Sequence, residues 1–213
     1  MSKVILKEEH AIFRKAFRQF LQQHAAPYFE QWEQEKQVPR SFWLEAGKQG
    51  FLCPWAEEKY GGSEADFGYS VIISEEMAVI GAGIGGIGLH NDVVMPYIQE
   101  FANEQQKQRW LPKAVTGEII SAIAMTEPGA GSDLAGVKTT AIKDGDNYII
   151  NGEKTFITNG YTADLVIVVC VTDPHAQPIH KGISLIAVEA GTPGFTKGKK
   201  LRKVGQHAND TSE

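Results

Sequence analysis

A chain of 213 residues with 42% hydrophobic content has the material for one or two domains with buried cores. Its net charge of −5 gives no dominant lysine/arginine field, which argues against nucleic acid as a partner. No apolar run approaches the roughly 20 residues that a membrane span needs. In chain order, Met1-Ser2-Lys3-Val4 has neither signal-peptide nor transit-peptide character, so a soluble, cytoplasmic protein is expected. Up to about residue 120 the apolar period is helical. Phe13, Phe17, Phe20, Leu21 and His24 form one stripe on an amphipathic helix. Ser41 is the expected N-cap of a helix carrying Phe42, Trp43 and Leu44, stopped at Gly50. Tyr69 to Ile80 predicts another helix, with Glu75 and Glu76 on its wet side, and Asn103 is expected to cap one that carries Trp110 and Leu111.

After Glu118 the pattern changes to β-branched runs broken by turn signals. Val137 to Lys143 and Tyr148 to Ile150 flank Asp144-Gly145-Asp146-Asn147 and read as a hairpin. Asn151-Gly152 suits a type I′ turn into a further strand, Glu153 to Thr158. Leu165 to Thr172 and Ile183 to Val188 are continuous apolar strands. Helices first and strands second predict an α+β multidomain chain, with an all-α domain over 1–120 and a β domain over 121–213, not a βαβ sheet. The last residues, Asp210-Thr211-Ser212-Glu213, show no finishing strand, so the β domain is expected to be completed from downstream.

Several features are read as structural. Cys53 and Cys170 lack CxxC spacing and are expected to be buried, reduced thiols. The six histidines show no metal-ligand spacing, so no metal site is expected. Lys197, Lys199, Lys200, Arg202 and Lys203 form a basic cluster that reads as a solvated face, with a phosphate-bearing partner as the alternative. Gly81-Ala82-Gly83-Ile84-Gly85-Gly86 matches G-x-G-x-x-G, but a helix-patterned segment precedes it, not a buried strand. A glycine-rich helical stretch of close approach is expected there instead of a dinucleotide fold.

Two segments carry the chemistry. Ala124-Met125-Thr126-Glu127-Pro128-Gly129-Ala130-Gly131-Ser132-Asp133 is a rigid loop with bare backbone. It suits a pyrophosphate held by N–H groups and Ser132, or a plain turn bonded by Asp133. Phe156-Ile157-Thr158-Asn159-Gly160 is expected to end a strand, with a ring and a hydroxyl two residues apart on one face. Such a pair can pack on a flat heterocycle, or it can be a core phenylalanine beside a threonine of good strand propensity.

Together these segments, with Asn151-Gly152-Glu153-Lys154, Gly61-Gly62, Glu75-Glu76 and Gly205-Gln206 in order, resemble the acyl-CoA dehydrogenase family over essentially the whole chain. The likeness is nearest to the long-chain branch. The resemblance implies a helical N-terminal domain, a β-barrel middle domain and a C-terminal helical-bundle domain that this chain lacks, with FAD between the last two and a homotetramer or homodimer as the assembly. By position it implies that Ile123, Ala124, Met125, Thr126, Gly131, Ser132, Phe156, Ile157 and Thr158 meet FAD. Thr126 would face the flavin's pyrimidine edge, Ser132 the pyrophosphate, and Thr158 the hydride-accepting N5. Phe156 stands where many relatives have tryptophan and keeps the stacking without the indole N–H. Ser132, Gly85 and Gly86 fall on the substrate side, where the missing side chains at the glycines would leave room for a longer acyl chain.

The family reaction takes a proton from Cα and a hydride from Cβ of an acyl-CoA, giving a trans-2-enoyl-CoA and passing electrons to an electron-transferring flavoprotein. The catalytic glutamate belongs to the C-terminal domain, so no catalytic base is expected in this chain. Glu127, within the loop, is expected to be structural. The 213 residues alone are expected to be inactive and to bind FAD weakly. An acyl-CoA oxidase, or a non-catalytic acyl-CoA or flavin-binding module, stays open as an alternative.

Overall fold

The computed structural model describes residues 6–80 and 84–213. The chain divides into two compact units, Met1–Ile120 with Arg202–Asp210, and Ser121–Leu201 with Thr211–Glu213. The first is helical and the second is built on a sheet.

In the helical unit α1 (Glu8–His24) buries Phe17, Phe20 and Leu21, as the stripe requires, and Phe13 packs partly against the same core. Phe51 receives the stripe edge-on, its ring 4.8 Å from that of Phe17. A short helix, α2 (Phe29–Glu35), follows and buries Trp32. The next, α3 (Arg40–Lys48), starts directly after Pro39. Ser41 therefore lies inside the helix and is not its cap, because an extended proline already sets the entry. Gly50, at φ +77°, ends it with its N–H on the Gly47 carbonyl, while the Phe51 N–H bonds the Ala46 carbonyl.

Asp66 caps α4 (Phe67–Val79) by accepting the Gly68 N–H at 2.8 Å. The buried His10 ring accepts the Lys7 N–H at Nδ1, which leaves Nε2 to donate to Asp66 at 3.0 Å. One imidazole thus joins the first turns of α1 and α4. Glu75 is on the surface, but Glu76 is not on a wet face: its side chain is 1% exposed. It bonds Arg14 Nη1 at 2.9 Å and Arg18 Nε at 2.6 Å, because that face of α4 lies on α1. A carboxylate tolerates such burial only when it is fully paired. Hydrogen bonding from Arg18 outweighs the cost of burial and, with Arg14, holds Glu76 below the ordinary carboxylate range.

Gly81 to Gly83 lie outside the described residues. Gly85 and Gly86 are not helical as expected; both are left-handed, at φ +54° and +63°. They turn the chain into α5 (Ile87–Leu89), a π-helical turn (His90–Val94) and α6 (Met95–Phe101). Space at Gly85 is taken by Val38, 3.2 Å from where a Cβ would stand, so it admits a packed side chain and leaves no void. In the π turn, buried Asn91 accepts the Cys53 N–H at 2.9 Å and donates to the Phe51 carbonyl at 3.0 Å. Helix α7 (Glu104–Val115) begins at Asn103, which forms a reciprocal capping box with Gln106. Residues 202–210 group with this unit: Glu33 accepts the His207 and Ala208 N–H groups at 3.0 and 2.7 Å, and Ala208 is fully buried in the core. Cys53 and Cys170 are both buried free thiols.

In the second unit the strands are β1 (Ser121–Ala124), β2 (Thr140–Asp144), β3 (Asn147–Asn151), β4 (Ile157–Thr158), β5 (Leu165–Val171), β6 (Ile183–Glu189) and β7 (Thr211–Ser212). The hairpin β2–β3 forms as read. β5 is central, with β1 parallel on one side and β6 antiparallel to it, and its first six residues are buried, which accounts for its unbroken apolar run. Three expectations change. The described strands make an open mixed sheet, in the order β1-β5-β2-β3 with β6 on β5, plus a separate β4–β7 pair, and not a closed barrel. Asn151 stays in β3, and no second hairpin follows. A Cβ on Gly152 would come 2.3 Å from the Thr139 hydroxyl, so this glycine serves close packing and not a turn. Finally, Thr211 and Ser212 do form a strand, antiparallel to β4.

Candidate functional site

The loop after β1 is built on Glu127. Its N–H and carbonyl pair with those of Ala130, folding Pro128-Gly129 into a tight turn. Its carboxylate is buried and accepts the N–H groups of Lys138 at 2.7 Å and Thr139 at 2.9 Å. Lys154 Nζ, with a side chain only 9% exposed, bonds the carboxylate at 2.8 Å and the Met125 carbonyl at 2.9 Å. Burial alone would raise the Glu127 pKa, but the Lys154 ammonium and the two backbone donors reverse that and bring it to about 2. Glu127 is therefore a fixed anion that anchors the loop.

The anchored loop buries Ala130 and turns its tip outward. Gly131 and Ser132 are exposed, and a Cβ built on Gly129 or Gly131 would meet nothing within 4 Å. Asp133 accepts the Ala135 N–H at 3.1 Å and starts a 3₁₀ turn, Leu134–Gly136, so the plain-turn chemistry is present beside the bare backbone. Met125 and Thr126 are half-buried; Ile123 and Ala124 are buried in β1.

The second segment is joined to the first by the Thr155 N–H, which donates to the Thr126 carbonyl at 2.9 Å. Phe156 is not a strand residue. Its φ is +59°, and the residue is 67% exposed. The alternation rule that placed Phe156 and Thr158 on one face therefore does not apply; only Ile157, buried, and Thr158, half-buried, belong to β4. An aromatic residue held left-handed and in the open is strained and unpacked, which excludes the core-phenylalanine reading. Asn159, also left-handed, is buried and donates to the Ser121 carbonyl at 3.0 Å, tying the end of this segment to the start of β1. Gly85 and Gly86 lie in the helical unit, where the Gly86 N–H donates to Asn209 Oδ1 at 3.2 Å. Sequence reasoning gave Lys154 no role, since nothing in its spacing from Glu127 announces a buried pair 27 residues apart.

Comparison with known proteins addresses the whole chain. Residues 7–118 match the model of the acyl-CoA dehydrogenase N-terminal domain, and residues 122–213 that of the acyl-CoA dehydrogenase middle domain. The rat mitochondrial long-chain specific acyl-CoA dehydrogenase is 48% identical over 209 residues, 98% of this chain and 49% of that protein. A crystal structure of an acyl-CoA dehydrogenase from Geobacillus kaustophilus superposes with a TM-score of 0.96 at 62% identity, over 99% of this chain and 56% of that one. A Mycobacterium smegmatis glutaryl-CoA dehydrogenase, in complex with FADH2, superposes with a TM-score of 0.86 at 30% identity, over 97% and 52%. The chain spans about half the length of the curated relatives it matches. Its two matched domains, in family order and covering nearly every residue, place the chain in the acyl-CoA dehydrogenase family.

Proposed function

We propose that the chain supplies the FAD-holding face of an acyl-CoA dehydrogenase that converts acyl-CoA thioesters to trans-2-enoyl-CoA. One observation carries this reading: a loop that leaves Gly129, Gly131 and Ser132 exposed around the buried Ala130 is hydrogen-bonded through Thr126 to the segment that holds Phe156 open at φ +59°. The residues fit the group. Ser132 and the loop N–H groups would hold the pyrophosphate, Met125 and Thr126 would line the pyrimidine edge beside β1 residues Ile123 and Ala124, and Phe156 would pack on the ring. Ile157, a buried residue of β4, would complete this strip, and Thr158 would donate toward N5. Bound there, FAD supplies the acceptor for the hydride that leaves substrate Cβ. Gly85 and Gly86 are assigned to the acyl side.

Glu127 cannot remove the substrate's α-proton. A base at about pKa 2 is too weak, and its oxygens are already taken by Lys154, Lys138 and Thr139. We therefore assign the base to a segment outside these 213 residues, in keeping with relatives about twice as long. An electron-transferring flavoprotein is the proposed acceptor, and the homotetramer is the proposed assembly. The test is anaerobic mixing of the full-length protein, purified with its flavin, with acyl-CoAs of graded length. Bleaching of the flavin band with enoyl-CoA formation is expected; a protein that takes up no FAD, or is not reduced by any acyl-CoA, overturns the proposal.

A further inference from the structure

We infer that the Glu127–Lys154 pair is a positioning element for the flavin, fixing the spacing between the Met125–Thr126 strip and the Phe156–Thr158 strip. The inference rests on the FAD reading above and assigns a role to two residues that the reading itself leaves out of contact with the cofactor.

The geometry is a clamp of directed bonds. Lys154 Nζ bonds the Met125 carbonyl and the Glu127 carboxylate, and the next residue, Thr155, donates its N–H to the Thr126 carbonyl. Consecutive residues 154 and 155 thus grip consecutive residues 125 to 127. On its far side the same carboxylate holds the N–H groups of Lys138 and Thr139, at the entry to β2. The loop is fixed from both flanks, and Phe156 follows immediately on the grip, at the left-handed residue where the chain turns away.

Stability alone does not account for this arrangement. A buried ion pair gains little over apolar side chains of the same volume, since desolvation of both charges offsets their attraction. What apolar residues do not supply is a fixed set of bonds to one named carbonyl and two named N–H groups. Those bonds set where Thr126 and Phe156 stand relative to each other, within the tolerance that a site of this kind requires.

The experiment compares the full-length protein with Lys154→Met and with the double variant Glu127→Gln/Lys154→Met, in which no unpaired charge remains buried. Unfolding midpoint, FAD affinity of the apoprotein, flavin reduction potential and the kcat-against-KM split are measured on each. For the folded variants the expected result is an FAD Kd raised roughly tenfold or more, with a shifted reduction potential and a fall in kcat at little changed KM. If Lys154→Met does not fold, the double variant carries the test. A double variant that folds and keeps the wild-type FAD Kd and potential overturns the inference and shows the pair to be structural only. Failure of the wild type itself to bind FAD is a separate result, and it overturns the proposed function.

Discussion

At Phe156 an L-residue occupies the left-handed region, where its Cβ crowds the neighbouring carbonyl at a cost of about 1–2 kcal/mol. Phe156→Gly is therefore expected to stabilise the chain by about 1 kcal/mol in urea unfolding while weakening FAD binding, a separation that a packing residue would not show. Glu127 makes an acid-sensitive contribution. Its folded pKa of about 2 lies below the usual 4.5, so its stabilisation is present above about pH 4.5 and is lost as pH falls through 2. At neutral pH this is on the order of 3 kcal/mol. The stability gap between wild type and Glu127→Gln should narrow over that window; a gap constant from pH 6 to pH 2 would contradict the assignment. Ser132 was legible as a candidate from its hydroxyl in a glycine loop and Thr158 from its spacing to Phe156, whereas Thr126 came only from the family resemblance. The Phe156 backbone was not legible, because a left-handed non-glycine residue leaves no mark in composition or period. The burial of Glu76 was missed for a related reason: an acidic residue reads as solvated until its two arginines are found some 60 residues earlier, at separations of 62 and 58.

Among the elements, helix starts separate what local chemistry decides from what context decides. Asn103 and Gln106 form the reciprocal box that their spacing announces, and Asn103→Ala is expected to cost about 1 kcal/mol in thermal or urea unfolding. Ser41→Ala should change stability by less than about 0.5 kcal/mol, because Ser41 is an exposed residue within α3 and caps nothing. The π-helical turn makes the opposite case: a single buried side chain, Asn91, satisfies both a donor and an acceptor of the 51–53 backbone. Asn91→Ala leaves the Cys53 N–H and the Phe51 carbonyl unpaired and is expected to cost about 2–4 kcal/mol by the same measurement. In the sheet, β5 and the β2–β3 hairpin were legible from apolar runs and turn residues. β1 was not: Ser121–Ala124 is four residues long, mostly alanine and serine, and becomes a strand by parallel pairing with β5, a partner more than 40 residues away that no local pattern signals.

For the whole molecule, the order of a helical part and a strand part followed from the change of period near residue 120. The course of the last twelve residues did not. Residues 202–210 belong to the helical unit and 211–213 to the sheet unit, so each unit is assembled from two separate stretches of chain. The polar, basic run around Lys199 to Lys203 hides this, since the buried residues that follow it, Ala208 and Asp210, are one small and one acidic and form no apolar stripe. Arg202 and Val204 stand in the open, whereas the residues that follow are held by the Glu33 carboxylate and by pairing with β4. A tryptic nick at Arg202 should accordingly cut the chain without parting it: the part that follows the nick stays docked like a clasp, so the protein migrates as one species by gel filtration and as two in denaturing gels. Exchanging the sheet unit between relatives as one uninterrupted cassette would carry away the piece of backbone that caps Glu33, and a working chimera has to leave residues 202–210 with the recipient's helices.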